Sequence, residues 1–119
     1  MKIEPNMYVR LNCNYELGIG KTISEIDEDN FIKTKFKDDF ECSLPTYMIK
    51  KASHNIIDLL EVGDYVNGEK ITRVIPQDIC GDEVLDYQHI FVNDKEIFKH
   101  EINSIVTKEL FENIKYEVK

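Results

Sequence analysis

Apolar and polar residues alternate along several short stretches of this chain. In Met7–Leu11 every second residue is apolar, so a half-buried strand is predicted with Tyr8 and Arg10 on its polar face. Further strand-like runs follow about every ten residues, separated by polar turns. These runs are Gly18–Ile26, Phe31–Phe36 and Phe40–Cys42. The glycines of the first run favour a curved strand. Short strands at this spacing are typical of small antiparallel barrels.

The next part of the chain is less regular. Ser43–Pro45 is expected as a loop or an edge strand, because proline has no amide donor for a ladder. Thr46–Ile49 is expected as a short strand that closes this unit, and Lys50–Asn55 as a polar connector. Ile56–Leu60 is too short for periodicity to decide between a helical turn and a strand.

Turn chemistry dominates the second half of the sequence. Asn67-Gly68 is the strongest hairpin signal, and it predicts two strands flanking the turn. A second hairpin about Asn93-Asp94 places Ile90 opposite Ile97. A short helix is expected near 108–114, with Thr107 as its N-cap and Tyr116 and Val118 in a final strand.

Together these elements predict an all-β, mainly antiparallel protein of one or two small SH3-like barrels with a short C-terminal helix. Residues 1–53 form the first SH3-like unit in this interpretation. Residues 54–119 form a second, acidic unit, because the Tyr65-Val66 region faintly repeats the pattern of Tyr8-Val9.

Composition narrows the class of protein. The 119 residues include 15 Lys and Arg against 23 Asp and Glu, a net charge of −8 that argues against a general nucleic-acid binder. At 42% apolar residues the chain is too hydrophobic to be disordered. It has no signal-peptide core and no membrane-spanning run, so it is expected in the cytoplasm, without contact to a membrane.

The residues identify no catalytic chemistry. His54, His89 and His100 match no metal-ligand spacing with Cys80, and nothing local marks a cysteine as activated. Gly20-Lys21-Thr22 lacks the first glycine of a phosphate-binding loop. The protein is therefore expected not to be an enzyme and to bind no metal or cofactor.

The excess negative charge is concentrated in the second half. Residues 1–53 carry 8 basic and 9 acidic side chains, whereas residues 54–119 carry 7 basic and 14 acidic ones. Such a surface suits a partner with a basic groove, because complementary potentials steer association. The simpler interpretation is solubility. The candidate partner-binding residues are Asp78, Asp82, Glu83, Asp86, Asp94 and Glu96.

An alternative is a site for a nucleotide signal, since phosphates favour bidentate donors and bases favour stacking faces. The chain has two arginines, and Arg10 or Arg73 would lie beside an aromatic ring such as Tyr65 or Phe91.

Two stretches, Ser53–Gly68 and Ile102–Glu112, resemble segments of small phage and prophage proteins of clostridia and other Firmicutes. The resemblance brings no catalytic residues. It implies an accessory phage protein that binds a host protein, and the leading hypothesis is an anti-CRISPR-like inhibitor that contacts a basic host defence protein through the acidic face. The alternatives are a small-molecule sponge and a structural phage module, and a homodimer remains open.

Overall fold

A computed structural model of the protein describes residues 2–12, 18–76 and 87–110. Within these ranges the chain forms eleven short strands, all paired antiparallel, and four single-turn 3₁₀ helices. The prediction of an all-β, mainly antiparallel fold is confirmed. Residues 108–110 are helical, and the remainder of the predicted helix lies outside the described residues, as do Tyr116 and Val118. No helix in these ranges is long and apolar enough to cross a membrane.

The first half forms a five-stranded sheet. Its strands are β1 (Tyr8–Leu11), β2 (Ile19–Thr22), β3 (Phe31–Lys35), β4 (Glu41–Pro45) and β5 (Ile49–Ser53). The order is β4-β3-β2-β1-β5, so β1 to β4 form a meander and β5 returns to pair with β1. β4 and β5 stand at the two edges of the sheet, and closure into an SH3-like barrel stays a prediction.

The segment around β5 corrects two expectations. The predicted strand at Thr46–Ile49 is wrong, because Thr46–Met48 forms a 3₁₀ helix after Pro45. The predicted connector is instead largely strand, since β5 continues to Ser53. Its polar residues did not resemble a strand because they lie at a sheet edge, where Lys50 and Lys51 meet the Glu61 carboxylate of the second half. Ile56–Leu59, left open by the sequence, forms a 3₁₀ helix.

The first hydrophobic core lies on one face of this sheet. Its buried members are Ile3, Val9, Leu11, Ile32, Phe36, Leu44 and Ile49. Gly20 permits the close approach of Phe36 to β2, because a Cβ built on Gly20 would lie 2.6 Å from Phe36 Cε1. The glycine predicted to curve β2 therefore also makes room for the core.

The second half contains two three-stranded sheets, ordered β11-β6-β7 and β10-β9-β8. The strands are β6 (Tyr65–Val66), β7 (Glu69–Lys70), β8 (Arg73–Ile75), β9 (His89–Val92), β10 (Lys95–Ile97) and β11 (Ile105–Val106). Both predicted hairpins are confirmed: β6 pairs with β7 about Asn67-Gly68, and Ile90 lies opposite Ile97.

A second hydrophobic core lies among these strands. Its buried members are Ile57, Leu60, Val66, Ile71, Ile90, Val92 and Ile97. Ile19 of β2 packs against this core from the first sheet. The division into units 1–53 and 54–119 stays a prediction, because the two halves share this packing.

Candidate functional site

The second half of the chain covers the outer face of β1. Val9 and Leu11 belong to the first core, so Tyr8 and Arg10 occupy the opposite face of the strand. Arg10 is only 1% exposed, so β1 is covered on its polar face as well and is not half-buried as predicted. Alternation along a strand separates its two faces but does not show whether a distant segment covers the second one.

A cavity of about 420 Å³ lies between this outer face and residues 99–110, which we call the strap. Known small-molecule sites have volumes of about 300–1,000 Å³. Its apolar lining comes from both halves and consists of Ile19, Ile56, Ile102, Ile105 and Leu110. The cavity is therefore large enough for a small organic ligand and apolar enough to receive its carbon skeleton.

Lysine side chains gather at this cavity. Lys37 and Lys99 line it, and the Lys21 ammonium group lies 5.2 Å from the ring centroid of the lining residue Tyr8. Lys99 Nζ donates a hydrogen bond to Asn55 Oδ1 at 3.0 Å. None of the three lysines forms an ion pair with another described residue. Positive charge that no described carboxylate neutralises thus adjoins a cavity of an acidic protein.

The side chain of Asn67 holds the middle of the strap. Its Nδ2 donates to Glu101 O at 2.8 Å, and its Oδ1 accepts from the amides of Asn103 and Ser104 at 2.7 and 3.0 Å. The Asn67 amide donates to Ser104 O at 3.0 Å. Asn103 and Ser104 also line the cavity, so this turn residue fixes part of the cavity wall.

A second contact holds the end of the strap. Asp64 Oδ1 accepts a hydrogen bond from the amide of Lys108 at 2.8 Å. Thr107 Oγ1 accepts from the amide of Leu110 at 3.3 Å, the bond expected of an N-cap residue. Thr107 and Leu110 line the cavity, so Asp64 orients the wall at this end.

Arg10 is the centre of a buried ionic cluster. Its guanidinium forms a bidentate pair with Asp64, donates to Leu59 O at 2.9 Å and contacts Glu109 at 3.0 Å. Burial alone would lower the pKa of Arg10, but the hydrogen bond and charge of Asp64 outweigh it and raise that pKa. The arginine of β1 therefore stays charged and ties the first sheet to the second half.

Glu61 forms the other ion pairs between the first sheet and the second half. Lys108 Nζ and Lys50 Nζ lie 2.8 and 2.9 Å from its carboxylate oxygens. Burial would raise the pKa of Glu61, but the hydrogen bonds from Lys108 and Lys50 and the charge of Arg10 lower it to about 2. Lys51 is farther from Glu61, at 3.7 Å.

The acidic candidate residues lie in different surroundings. Asp94 is exposed at the turn between β9 and β10, whereas Glu96 Oε2 lies 2.6 Å from His89 Nδ1. Asp78, Asp82, Glu83 and Asp86 lie outside the described residues. The acidic partner-binding face thus stays a prediction.

One of the predicted arginine-aromatic pairs, Arg73 with Phe91, is present, whereas a ligand site at this pair stays a prediction. Arg10 is buried among carboxylates, which removes its guanidinium from contact with a ligand. Arg73 stacks on Phe91, with its guanidinium carbon 4.2 Å from the ring centroid, and Tyr65 is half-buried in β6. The cavity lining includes none of these four residues.

Sequence reasoning missed the residues that form the cavity. Tyr8, Lys37 and Lys99 lie far apart along the chain and share no motif. A local signal marked Asn67, because Asn-Gly is a hairpin turn, but this signal said nothing about its side-chain partners.

No group of residues suited to hold a metal ion occurs within 2–12, 18–76 and 87–110. Comparisons of the chain with protein-family models, curated proteins and solved structures find no match.

Proposed function

We propose that the protein is a non-enzymatic binding module that captures a small amphipathic anion of the nucleotide class in the cavity between the first sheet and the strap. The observation that carries this proposal is the juxtaposition of apolar walls with Lys37 and Lys99. A lysine ammonium suits a phosphate group, and isoleucine side chains suit the apolar face of a base.

The polar part of the wall fits the same class. Asn103 and Ser104 supply polar groups of the kind that a nucleobase edge requires, beside the isoleucine side chains of the lining. A ligand that lacks an anionic group would make no ion pair with the lysines. A small inorganic anion would make no contact with the apolar wall. A mononucleotide uses both.

Calorimetric titration with adenosine monophosphate tests this proposal. We expect the wild-type protein to bind adenosine monophosphate more tightly than adenosine or inorganic phosphate. The double variant Lys37→Gln/Lys99→Gln should weaken binding about tenfold or more, because charge-assisted hydrogen bonds are lost.

The matched control is Lys33→Gln/Lys70→Gln, which removes two exposed lysines that do not line the cavity. This control should bind like the wild type. Equal weakening by both double variants, or no binding to the wild type, would contradict the proposal.

A second candidate function rests on the unequal charge of the two halves and on exposed Asp94. In this proposal the chain is a phage-encoded inhibitor that contacts a basic host defence protein. Reversal of Asp82, Glu83 and Asp86 to lysine should abolish capture of that protein from a host lysate. The control reverses the exposed Glu25, Glu28 and Asp29, and identical capture by both triple variants would exclude the acidic face.

A further inference from the structure

The Asn67-Gly68 turn has two separable roles. Asn67 and Gly68 have φ values of +53° and +81°, the left-handed conformation that a two-residue hairpin requires. Glycine adopts this conformation as readily as asparagine does. The backbone requirement of the turn therefore does not explain why the Asn67 side chain forms three hydrogen bonds to the strap.

Those bonds act on an irregular segment between Ile102 and Ile105, two residues that pack against the second core. Residues 102–104 belong to no helix or strand, and β11, which follows, has only two residues. Asn103 and Ser104 are exposed, yet both amides donate to the same oxygen, Asn67 Oδ1. The backbone bond from Asn67 to Ser104 supplements this contact. The Asn67 side chain is thus the partner of both amides in the irregular part of the wall.

We infer that Asn67 is a positioning residue for the cavity: it does not line the cavity but fixes the Asn103-Ser104 wall for ligand binding. This inference rests on the proposed function, because it assigns Asn67 a part in binding the same ligand. It also specifies chemistry, since the position requires an acceptor for two amides and a donor for the Glu101 carbonyl.

The variant Asn67→Gly separates the two roles. It keeps the turn and removes all three side-chain bonds, so the amides of Asn103 and Ser104 should exchange with solvent about tenfold faster or more. Affinity for adenosine monophosphate should fall by a similar factor. Amides of the β6-β7 hairpin should keep their exchange rates, which nuclear magnetic resonance measures in the same sample.

Asn93→Gly is the matched control. Asn93 also has a positive φ, +56°, in a hairpin turn, and its side chain makes no hydrogen bond to another described residue. This variant should leave affinity and exchange at Asn103 and Ser104 unchanged. Asn67→Asp retains the acceptor oxygens and should restore most of the amide protection.

The outcomes distinguish the inference from the proposed function. Faster exchange with unchanged affinity would overturn the positioning role, and so would unchanged exchange in Asn67→Gly. If the wild type fails to bind adenosine monophosphate while exchange still responds to Asn67→Gly, the proposed function fails. Asn67 would then fix the conformation of Asn103 and Ser104 without a role in binding. The inference holds when exchange and affinity change together.

Discussion

The contacts of Arg10 show how one residue can depend on parts of the chain that its local pattern does not reveal. Its partners Asp64 and Glu109 are 54 and 99 residues away. Alternation around Arg10 correctly predicted β1 and its two faces, but it could not predict that a second layer would cover the polar one. An ion pair across such a distance in sequence leaves no periodic signal.

Removal of one partner from this cluster should be costly. Asp64→Ala leaves the buried charge of Arg10 without its bidentate acceptor, so the free energy of unfolding should fall by about 3–5 kcal/mol. Urea denaturation measures this loss. The control Asp94→Ala alters an exposed turn residue and should change stability by less than about 0.5 kcal/mol. A loss below about 1 kcal/mol for Asp64→Ala would show that the cluster does not hold the halves together.

Glu61 should make stability depend on pH under acidic conditions. Its pKa is about 2 in the folded protein against 4.5 for the ordinary group, so its contribution is present above pH 4.5 and is lost as the pH falls toward 2. Glu61→Gln cannot titrate and should reduce the fall in urea midpoint between pH 5 and pH 3. Equal pH dependence of the two proteins would contradict the ionic role of Glu61.

At the scale of elements, the predictions that succeeded rest on turn chemistry. Asn67-Gly68 and Asn93-Asp94 specify hairpins through residues that tolerate positive φ, and the structure contains both hairpins. Periodicity was less informative for β5 and β11. β5 is polar because the other half supplies its ionic partners, and β11 has only two residues.

Gly20 offers a test of packing within an element. Gly20→Ala would place a methyl group against the Phe36 ring, and overpacking of this kind costs about 1–3 kcal/mol. Thermal or urea unfolding measures the loss. In a Phe36→Leu background the same substitution should cost less, because the ring is absent. Equal costs in both backgrounds would show that Phe36 does not set the requirement for glycine.

At the scale of the whole molecule, part of the negative charge of the second half forms ion pairs within the protein. Three cations of the first half pair with acidic residues of the second half, and they are Arg10, Lys50 and Lys51. Lys108 of the second half pairs with one of the same acidic residues, Glu61. The acidic side chains that serve this junction are Glu61, Asp64 and Glu109. Some of the negative charge that suggested an external partner therefore joins the two halves.

The same junction creates the cavity. The ionic cluster joins the strap to the first sheet, and Asn67 joins it to the β6-β7 turn. Lys37 and Lys99, which pair with no carboxylate of the described residues, line the space between the sheet and the strap. The sequence allowed the all-β class and the hairpins to be predicted. It could not reveal the cavity, because the cavity exists only where distant segments meet.

Chemical-shift mapping with adenosine monophosphate tests the proposed binding site most directly. Amides of Ile19, Ile56 and Ser104 at the cavity should shift in a saturable manner, whereas those of Ile32 and Leu44 in the first core should not. The absence of saturable shifts, or shifts centred away from the cavity, would contradict the account.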